Sequence, residues 1–236
     1  MHYQQTQVPP EWVERWATAD AARHGLRVPP ALQYVPTALE VCNATAGKHP
    51  VLLGSSGGGN RTAAGVDLWW QGHGAFMLPK AVLRLHLQLP RKGAPATASA
   101  SSAKEEALRQ LHASLSAQVL EEATEDMRNC GLDFAVKTAS SSGYILEVSG
   151  YDQHMGVMLS KVLEGVLDPS FGQHEFTRAH REVLDGLSDT TRRAPYELAL
   201  EVISALTTDG VSSREDVLAQ MRSTDEQELR SYLGKL

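Results

Sequence analysis

The chain has 236 residues, 42% of them hydrophobic, and a formal net charge of -6, so it can bury a substantial core in one large domain or two small ones. Its 22 Lys and Arg residues are spread along the chain instead of gathered into a block, which argues against nucleic acid as a partner. No apolar run approaches the roughly 20 residues that cross a bilayer, so no membrane span is predicted.

The first predicted elements are a short helix and a long extended arm. Residues 11–24, EWVERWATADAARH, place Trp12 and Trp16 on one helical face. From Gly25 to about Gly65, several prolines and a GSSGGGN run predict an extended segment followed by a flexible loop. The region before the core is therefore predicted to be an N-terminal arm or linker that contains one short helix.

The core is predicted to follow the order strands, long helix, hairpin and several helices. The segment 82–89 alternates apolar and polar residues, which is the period of a strand with one buried face. The order predicts an α+β fold, an antiparallel sheet with helices packed on one face. The predicted domains are 1–65, the arm, and 66–236, the α+β domain. The predicted elements are strands at 67–72 and 82–89, a helix at 104–129, hairpin strands at 132–136 and 144–148, and helices beginning after Asp152 and at about 171–192, 195–208 and 213–233 with a break near Thr224.

Local signals place the ends of these elements. Gly131 is predicted to be the C-cap of the long helix, the SSSG run at 140–143 a turn, and Asp152 the N-cap of the next helix. In that helix, Met155 and Met158 recur at helical spacing, which is more typical of core filling than of a binding surface.

The segment HEFTRAHRE at 174–182 contains the residue types of a peptidase zinc site. In HExxH the two histidines differ by about 40° around a helix, whereas His174 and His180 are six residues apart and differ by about 120°. The reversed pattern HxxEH occurs nowhere in the chain. The segment is therefore interpreted as an ordinary helix in which Phe176 marks the buried face, His180 is half buried and His174 is solvated.

Other candidate sites have simpler interpretations. The SSGGG loop lacks the Lys-Ser/Thr ending of a phosphate-binding loop and is interpreted as a linker. The acidic run EEATED, which begins at Glu121 and Glu122, is interpreted as the solvated face of an amphipathic helix. The residues by themselves therefore indicate no catalytic site.

The N-terminus and the cysteines bear on localisation. The opening MHYQQTQVPPEW lacks the basic start and apolar core of a signal peptide. Cys42 and Cys130 match no metal-binding spacing and are interpreted as free thiols, which favours the cytoplasm or another reducing compartment. Sequons at Asn43 and Asn60 carry little weight without a secretion signal.

Four long segments occur in an order and spacing that resemble a known family. They are VPPEWVERWATAD with VPPALQYVPTALEV, LWWQGHGAFMLPKAVLRLHLQLP, CGLDFAVKTASSSGYILEVSGYDQHM, and PYELALEVISALTTDG. Together they resemble the third (middle) domain of the insulysin (insulin-degrading enzyme) and pitrilysin group of inverzincin metallopeptidases. The first pair is similar to the connection out of the second domain, the next two segments to a strand pair and a hairpin, and the last to a helix.

The resemblance implies a zinc metalloendopeptidase of four related α+β domains in two halves that close around short peptides. In this family HxxEH lies in the first domain, and the third domain helps to wall the chamber. The resemblance therefore assigns no catalytic residue, no cofactor-binding residue and no metal ligand to this chain, places zinc elsewhere in the full-length enzyme, and implies that the chain alone is inactive. The implied partners are the other domains of the same peptidase, peptide substrates and, since family members often dimerise through their C-terminal half, a second copy.

Seven positions carry family motifs with an architectural role. Lys80 is interpreted as a solvated charge at a strand end, and the alternative is a contact to the other half of the enzyme or to substrate. The chain departs from the family at QGHG, 71–74, where an acidic sequence is usual, and at 122–125, where tyrosines are usual. The seven positions are Trp69, Phe76, Pro79 and Lys80 on the strand pair, and Gly131, Gly150 and Tyr151 around the hairpin.

A second hypothesis is a free-standing peptide-binding or assembly module that kept the fold without the chemistry. The N-terminal arm resembles the end of a preceding domain, which favours the first hypothesis. The reading frame around the chain distinguishes the two, because only a peptidase domain is expected to be preceded by HxxEH.

Overall fold

The structure is a computed structural model that describes residues 8–18, 31–41, 49–53, 67–72, 77–88, 102–139, 143–191, 193–208 and 211–234. The chain divides into two compact units, Met1–Leu32 and Gln33–Leu236. The predicted boundary between residues 65 and 66 lies outside the described residues and stays a prediction.

The first unit contains one described helix, α1 (Pro10–Ala17). Proline is tolerated at this end because the first N–H groups of a helix have no partner within it. The rings of Trp12 and Trp16 meet edge to face with their centroids 6.1 Å apart, so the predicted shared face is confirmed. Most of the rest of the predicted helix, 19–24, lies outside the described residues.

The second unit contains two antiparallel sheets. In the three-stranded sheet, β3 (Lys80–Leu87) and β4 (Leu132–Thr138) pair on either side of β5 (Tyr144–Tyr151). The predicted strand at 67–72 forms as β2 (Leu68–Trp70), which pairs with β1 (Val51–Leu53). The strand β1 has only three residues, too short to show a period, and the sequence interpretation had placed it in the arm.

The helices follow the predicted order with two differences. The predicted long helix is interrupted at Thr124, whose buried hydroxyl donates to the Leu120 carbonyl at 2.6 Å. The N-cap prediction for Asp152 was wrong: its backbone N–H bonds to the Pro79 carbonyl at 3.2 Å and so extends the strand contact. A 3-10 turn at Asp152–His154 therefore precedes the helix. The helices are α2 (Ala103–Ala123), α3 (Glu125–Asn129), α4 (Met155–Leu167), α5 (Gln173–Ser188), α6 (Pro195–Thr207), α7 (Arg214–Ser223) and α8 (Glu226–Leu233).

The helix α2 is central and contributes to two hydrophobic clusters. One cluster joins α2 and α4 to the three-stranded sheet, and Met155 and Met158 are buried in it, as predicted. The other cluster joins α2 to α5, α7 and α8 and contains Leu111, Leu115 and Phe176. The architecture is therefore α+β, as predicted, and α2 packs against both the sheet and the C-terminal helices.

Candidate functional site

The structure brings five of the seven family-motif positions together, at the end of the sheet where β3 begins and β5 ends. We call this group the strand-end cluster. Lys80 pairs with Tyr151 in the β3–β5 register, and Gly150 lies opposite Leu132 on β4. Since these positions come from three separate stretches of the chain, only folding brings them side by side. The members are Pro79, Lys80, Gly131, Gly150 and Tyr151.

Two members of the strand-end cluster are glycines for steric reasons. Gly150 has φ +129°, and a Cβ atom there would lie 2.3 Å from the carbonyl oxygen of Gly131. The C-cap of α3 is Cys130, so the C-cap prediction for Gly131 was wrong by one residue. Gly131 follows it with φ +87°, and its backbone N–H bonds to the Arg128 carbonyl at 3.0 Å. Both positions require a backbone conformation that residues with a side chain rarely adopt.

Lys80 is engaged within its own domain. Its Nζ lies 4.9 Å from the centre of the Tyr151 ring, within the range of a cation–π contact. The adjacent Pro79 carbonyl accepts the hydrogen bond from Asp152. Both contacts are made within the same domain, and the architectural role of these positions stays a prediction.

A segment of the predicted arm lies against the same end of the sheet. The side-chain oxygen of Gln153 accepts hydrogen bonds from the backbone N–H groups of Thr37 and Ala38, at 2.8 and 2.9 Å. The rings of Tyr34 and His154 meet edge to face with centroids 5.7 Å apart. These contacts attach residues 34–38 to the turn after β5.

The remaining two motif positions are not part of the cluster. Trp69 lies on β2, opposite Leu52 in the two-stranded sheet, and is 62% exposed. Phe76 lies outside the described residues.

The HEFTRAHRE segment lies in α5. Two of its residues that could act as metal ligands, Glu175 and His180, are instead hydrogen-bonded within the domain. His180 donates from Nε2 to the Met221 carbonyl at 2.8 Å, and its ring stacks on Phe176. The Glu175 carboxylate accepts hydrogen bonds from its own backbone N–H and from that of Gly172, which lowers the pKa of this carboxyl group. His174 is exposed, as predicted. Among the described residues, no three His, Cys, Asp or Glu side chains are grouped closely enough to hold a metal ion.

The sequence interpretation missed a buried polar network between α2, β5 and α8. His112 Nδ1 lies 2.7 Å from the Tyr144 hydroxyl oxygen, which lies 3.1 Å from that of Tyr232. Burial lowers the pKa of His112 to about 4, and the backbone of Val166 offsets this only in part. The other ring nitrogen of His112, Nε2, is buried without a well-formed hydrogen bond to the described residues. No spacing rule predicts such a network, because its members are 32 and 88 residues apart.

A family comparison assigns the chain. The family model for the middle or third domain of peptidase M16 matches residues 1–220. The chain belongs to this family. The predicted resemblance to a middle domain of this peptidase group is therefore confirmed.

Structural comparison of this peptidase M16 domain supports the same fold. The crystal structure of pitrilysin matches it with a TM-score of 0.70 and 19% sequence identity, over 90% of this chain and 21% of pitrilysin. The chain thus spans about a fifth of the length of pitrilysin. A protein described as M16-like, from Alicyclobacillus acidocaldarius, matches 58% of this chain and 35% of its own, with 13% identity and a TM-score of 0.44, too low to add to the argument. Comparison with curated protein sequences gives no significant match.

Two further observations concern the described part of this peptidase M16 domain. None of its helices has the length and hydropathy of a bilayer-crossing segment. Cys130 is a buried free thiol, and Cys42 lies outside the described residues.

Proposed function

We propose that this chain is a non-catalytic domain that helps to wall the chamber of a zinc-dependent metalloendopeptidase, which degrades short peptides. The observation that carries the proposal is the match of residues 1–220 to the middle or third domain of peptidase M16. The α+β fold shared with pitrilysin over 90% of the chain supports it. The hydrolytic step is assigned to another domain, since this chain contains no HxxEH.

Zinc, which the family resemblance implies for the full-length enzyme, does not fit the described residues of this chain. A zinc site needs three or four Cys, His, Asp or Glu ligands around one ion, and the described residues contain no such group of three. His180 already donates its Nε2 proton to a backbone carbonyl. We therefore assign the zinc ligands to the other domains.

The proposed partners are the other domains of the same peptidase, peptide substrates and a second copy of the protein. Lys80 is proposed to be a charge at the strand end, since its ammonium group lies over the Tyr151 ring of the same domain. The alternative is a contact to the other half of the enzyme or to substrate. The strand-end cluster then contributes to function by shaping the end of the sheet, where two glycines and a turn bring three strands together.

Hydrolysis of short fluorogenic peptides tests the proposal. We expect the full-length protein to hydrolyse them in a reaction that a zinc chelator abolishes and added zinc restores. The 236-residue chain alone is expected to show no chelator-sensitive hydrolysis at the same molar concentration. A circular dichroism spectrum with the expected helix content is the control that the chain is folded.

Two outcomes would contradict the proposal. Chelator-sensitive hydrolysis by the 236-residue chain alone would overturn the assignment of a non-catalytic domain. A folded full-length protein that binds zinc but cleaves no peptide would overturn the assignment to an active peptidase. In that second case, tight peptide binding by the isolated chain would favour the free-standing binding module.

A further inference from the structure

The helix α6 presents an apolar face to the outside of its own compact unit. None of its residues is buried. Five large apolar side chains, each between 53% and 81% exposed, lie within an arc of about 160° around the helix. We call them the α6 apolar face: Tyr196, Leu200, Val202, Ile203 and Leu206.

The charged side of α6 faces the rest of the domain. One carboxylate oxygen of Glu201 lies 2.6 Å from Arg193 Nη1, and the other lies 3.4 Å from Arg214 Nη1. Burial alone would raise the pKa of the Glu201 carboxyl group, but the hydrogen bonds and charges of the two arginines outweigh it and lower this pKa. Arg214 also donates to the carbonyls of Gly186 and Leu187, at 2.7 Å each, at the end of α5. These bonds hold α6 with its charges inward and its apolar face outward.

The size and chemistry of the α6 apolar face limit what can cover it. Side chains of this size and exposure present on the order of 500 Å² of apolar surface, at the upper end of what a soluble monomer leaves uncovered. Of the two charged residues of α6, Glu201 lies on the opposite side of the helix, and Glu197 lies at the edge of the face, where its carboxylate accepts a hydrogen bond from the Tyr196 hydroxyl at 3.5 Å. The complementary surface is therefore apolar, and a charged ligand or a nucleic acid does not match it.

We propose that the α6 apolar face docks on an apolar surface of another domain of the same peptidase M16 polypeptide. The proposal rests on the proposed function, since it needs the chain to be one domain of a larger peptidase. A middle or third domain has neighbours in the same polypeptide, and the chain spans only 21% of pitrilysin, which leaves ample chain to supply the covering surface.

The area favours a neighbouring domain over a second copy. A stable dimer of separate chains buries about 800 Å² on each partner, more than this face provides. Two domains of one polypeptide have a high effective concentration, so a smaller apolar contact is enough to hold them together. The face therefore suits an interface within one polypeptide.

The accessibility of a thiol introduced into the face tests the proposal. We would place Leu206→Cys in a background with Cys42→Ser and Cys130→Ala and measure the rate of maleimide labelling in the 236-residue chain and in the full-length protein. The Leu206→Cys thiol is expected to react at least about tenfold more slowly in the full-length protein, because maleimide can reach it only when the docked domains separate. The matched control is Thr177→Cys on the exposed side of α5; each rate is divided by that of the same protein in denaturant.

Equal normalised rates for the Leu206→Cys thiol in the two proteins would overturn the docking. Slow maleimide labelling of this thiol in the 236-residue chain itself, slower still at higher protein concentration, would also overturn the docking on another domain. It would show that a second copy of the chain covers the face. The peptidase assay separates the two proposals. An active full-length protein with an unprotected thiol would reject the docking alone, whereas an inactive protein with a protected thiol would reject the peptidase assignment alone.

Discussion

The helices α5 and α6 follow one another in the chain, and both are amphipathic. The apolar side of α5 is buried in its own domain, whereas the apolar side of α6 is exposed. In α5 the apolar side chains of Phe176 and Ala179 are buried against α2 and the C-terminal helices. Its other side is charged and borders a groove of about 1080 Å³ that includes Arg178 and Arg181. In α6 the apolar side is exposed, and Glu201 points toward its own domain.

The contrast shows that an amphipathic pattern identifies the apolar side of a helix without identifying its partner. A helix on the surface of a self-sufficient domain turns its apolar side to the core. Two arginines neutralise the inward carboxylate of α6, and a cavity of about 550 Å³ lies between α6, α2 and the start of α7. None of the residues of α6 is fully buried in its own domain, although Leu198 and Ala205 are half-buried on the inward side. A largely exposed apolar side is the arrangement expected of a helix that another domain covers.

The largest expected effect tests the buried side of α5. Phe176→Ala should lower the free energy of unfolding by about 3–5 kcal/mol. It removes a ring that stacks on His180 and packs in the hydrophobic cluster joining α2 to α5, α7 and α8. Urea unfolding of the 236-residue chain measures the loss. A loss below about 1 kcal/mol would mean that α5 is not held by its apolar side, and the comparison would fail.

A pH series probes α2, the helix against which α5 packs. Unfolded His112 takes up its proton near its ordinary pKa of 6.5, whereas the folded protein resists protonation until about pH 4. Stability should therefore fall as the pH drops from about 6.5 to about 4, by about 3 kcal/mol in total. Urea unfolding at a series of pH values, with and without His112→Gln, isolates this contribution. If both proteins lost the same stability over this range, the buried network would not be its source.

The ion pairs that orient α6 should contribute less to the free energy of unfolding than the buried Phe176 ring of α5. Arg214→Met removes the hydrogen bonds to Gly186 and Leu187 and one partner of Glu201. We expect a loss of about 1–3 kcal/mol, because backbone carbonyls at the end of α5 lose a charged donor. The matched control, Arg222→Met, removes an exposed arginine from the same helix and should change stability by less than about 0.5 kcal/mol. Equal losses in the two variants would show that the inward charges do not hold α6.

The smallest effect is expected on the outer side of α6. In the 236-residue chain, Leu206→Ala should change the free energy of unfolding by less than about 0.5 kcal/mol, because the side chain is already 81% exposed. The same urea unfolding experiment compares it directly with Phe176→Ala. A loss above about 2 kcal/mol would show that the α6 apolar face is covered within the chain itself, and would remove the contrast between the helices.

The local pattern of apolar, polar and turn-forming residues predicted most helices and strands, because these elements depend on interactions between residues close together in the chain. The alternation along β3 and the break at Thr224 between α7 and α8 were both predicted. The start of α4 was not, because Asp152 is drawn into a hydrogen bond with Pro79, 73 positions earlier in the chain. Family motifs supplied the positions of the strand-end cluster, yet they gave no sign that Lys80 lies over the Tyr151 ring.

What the sequence by itself determined is most of the elements, the apolar sides of several of them and the family to which the chain belongs. The spacing of apolar residues, the turn-forming residues and the order of the family motifs are all properties of the sequence, so they can be recognised without a structure. Tertiary structure alone decided which apolar sides are covered, how His112 meets Tyr144 and Tyr232, and which way α6 faces. These outcomes depend on side chains far apart in the chain, whose contacts exist only once the backbone has folded.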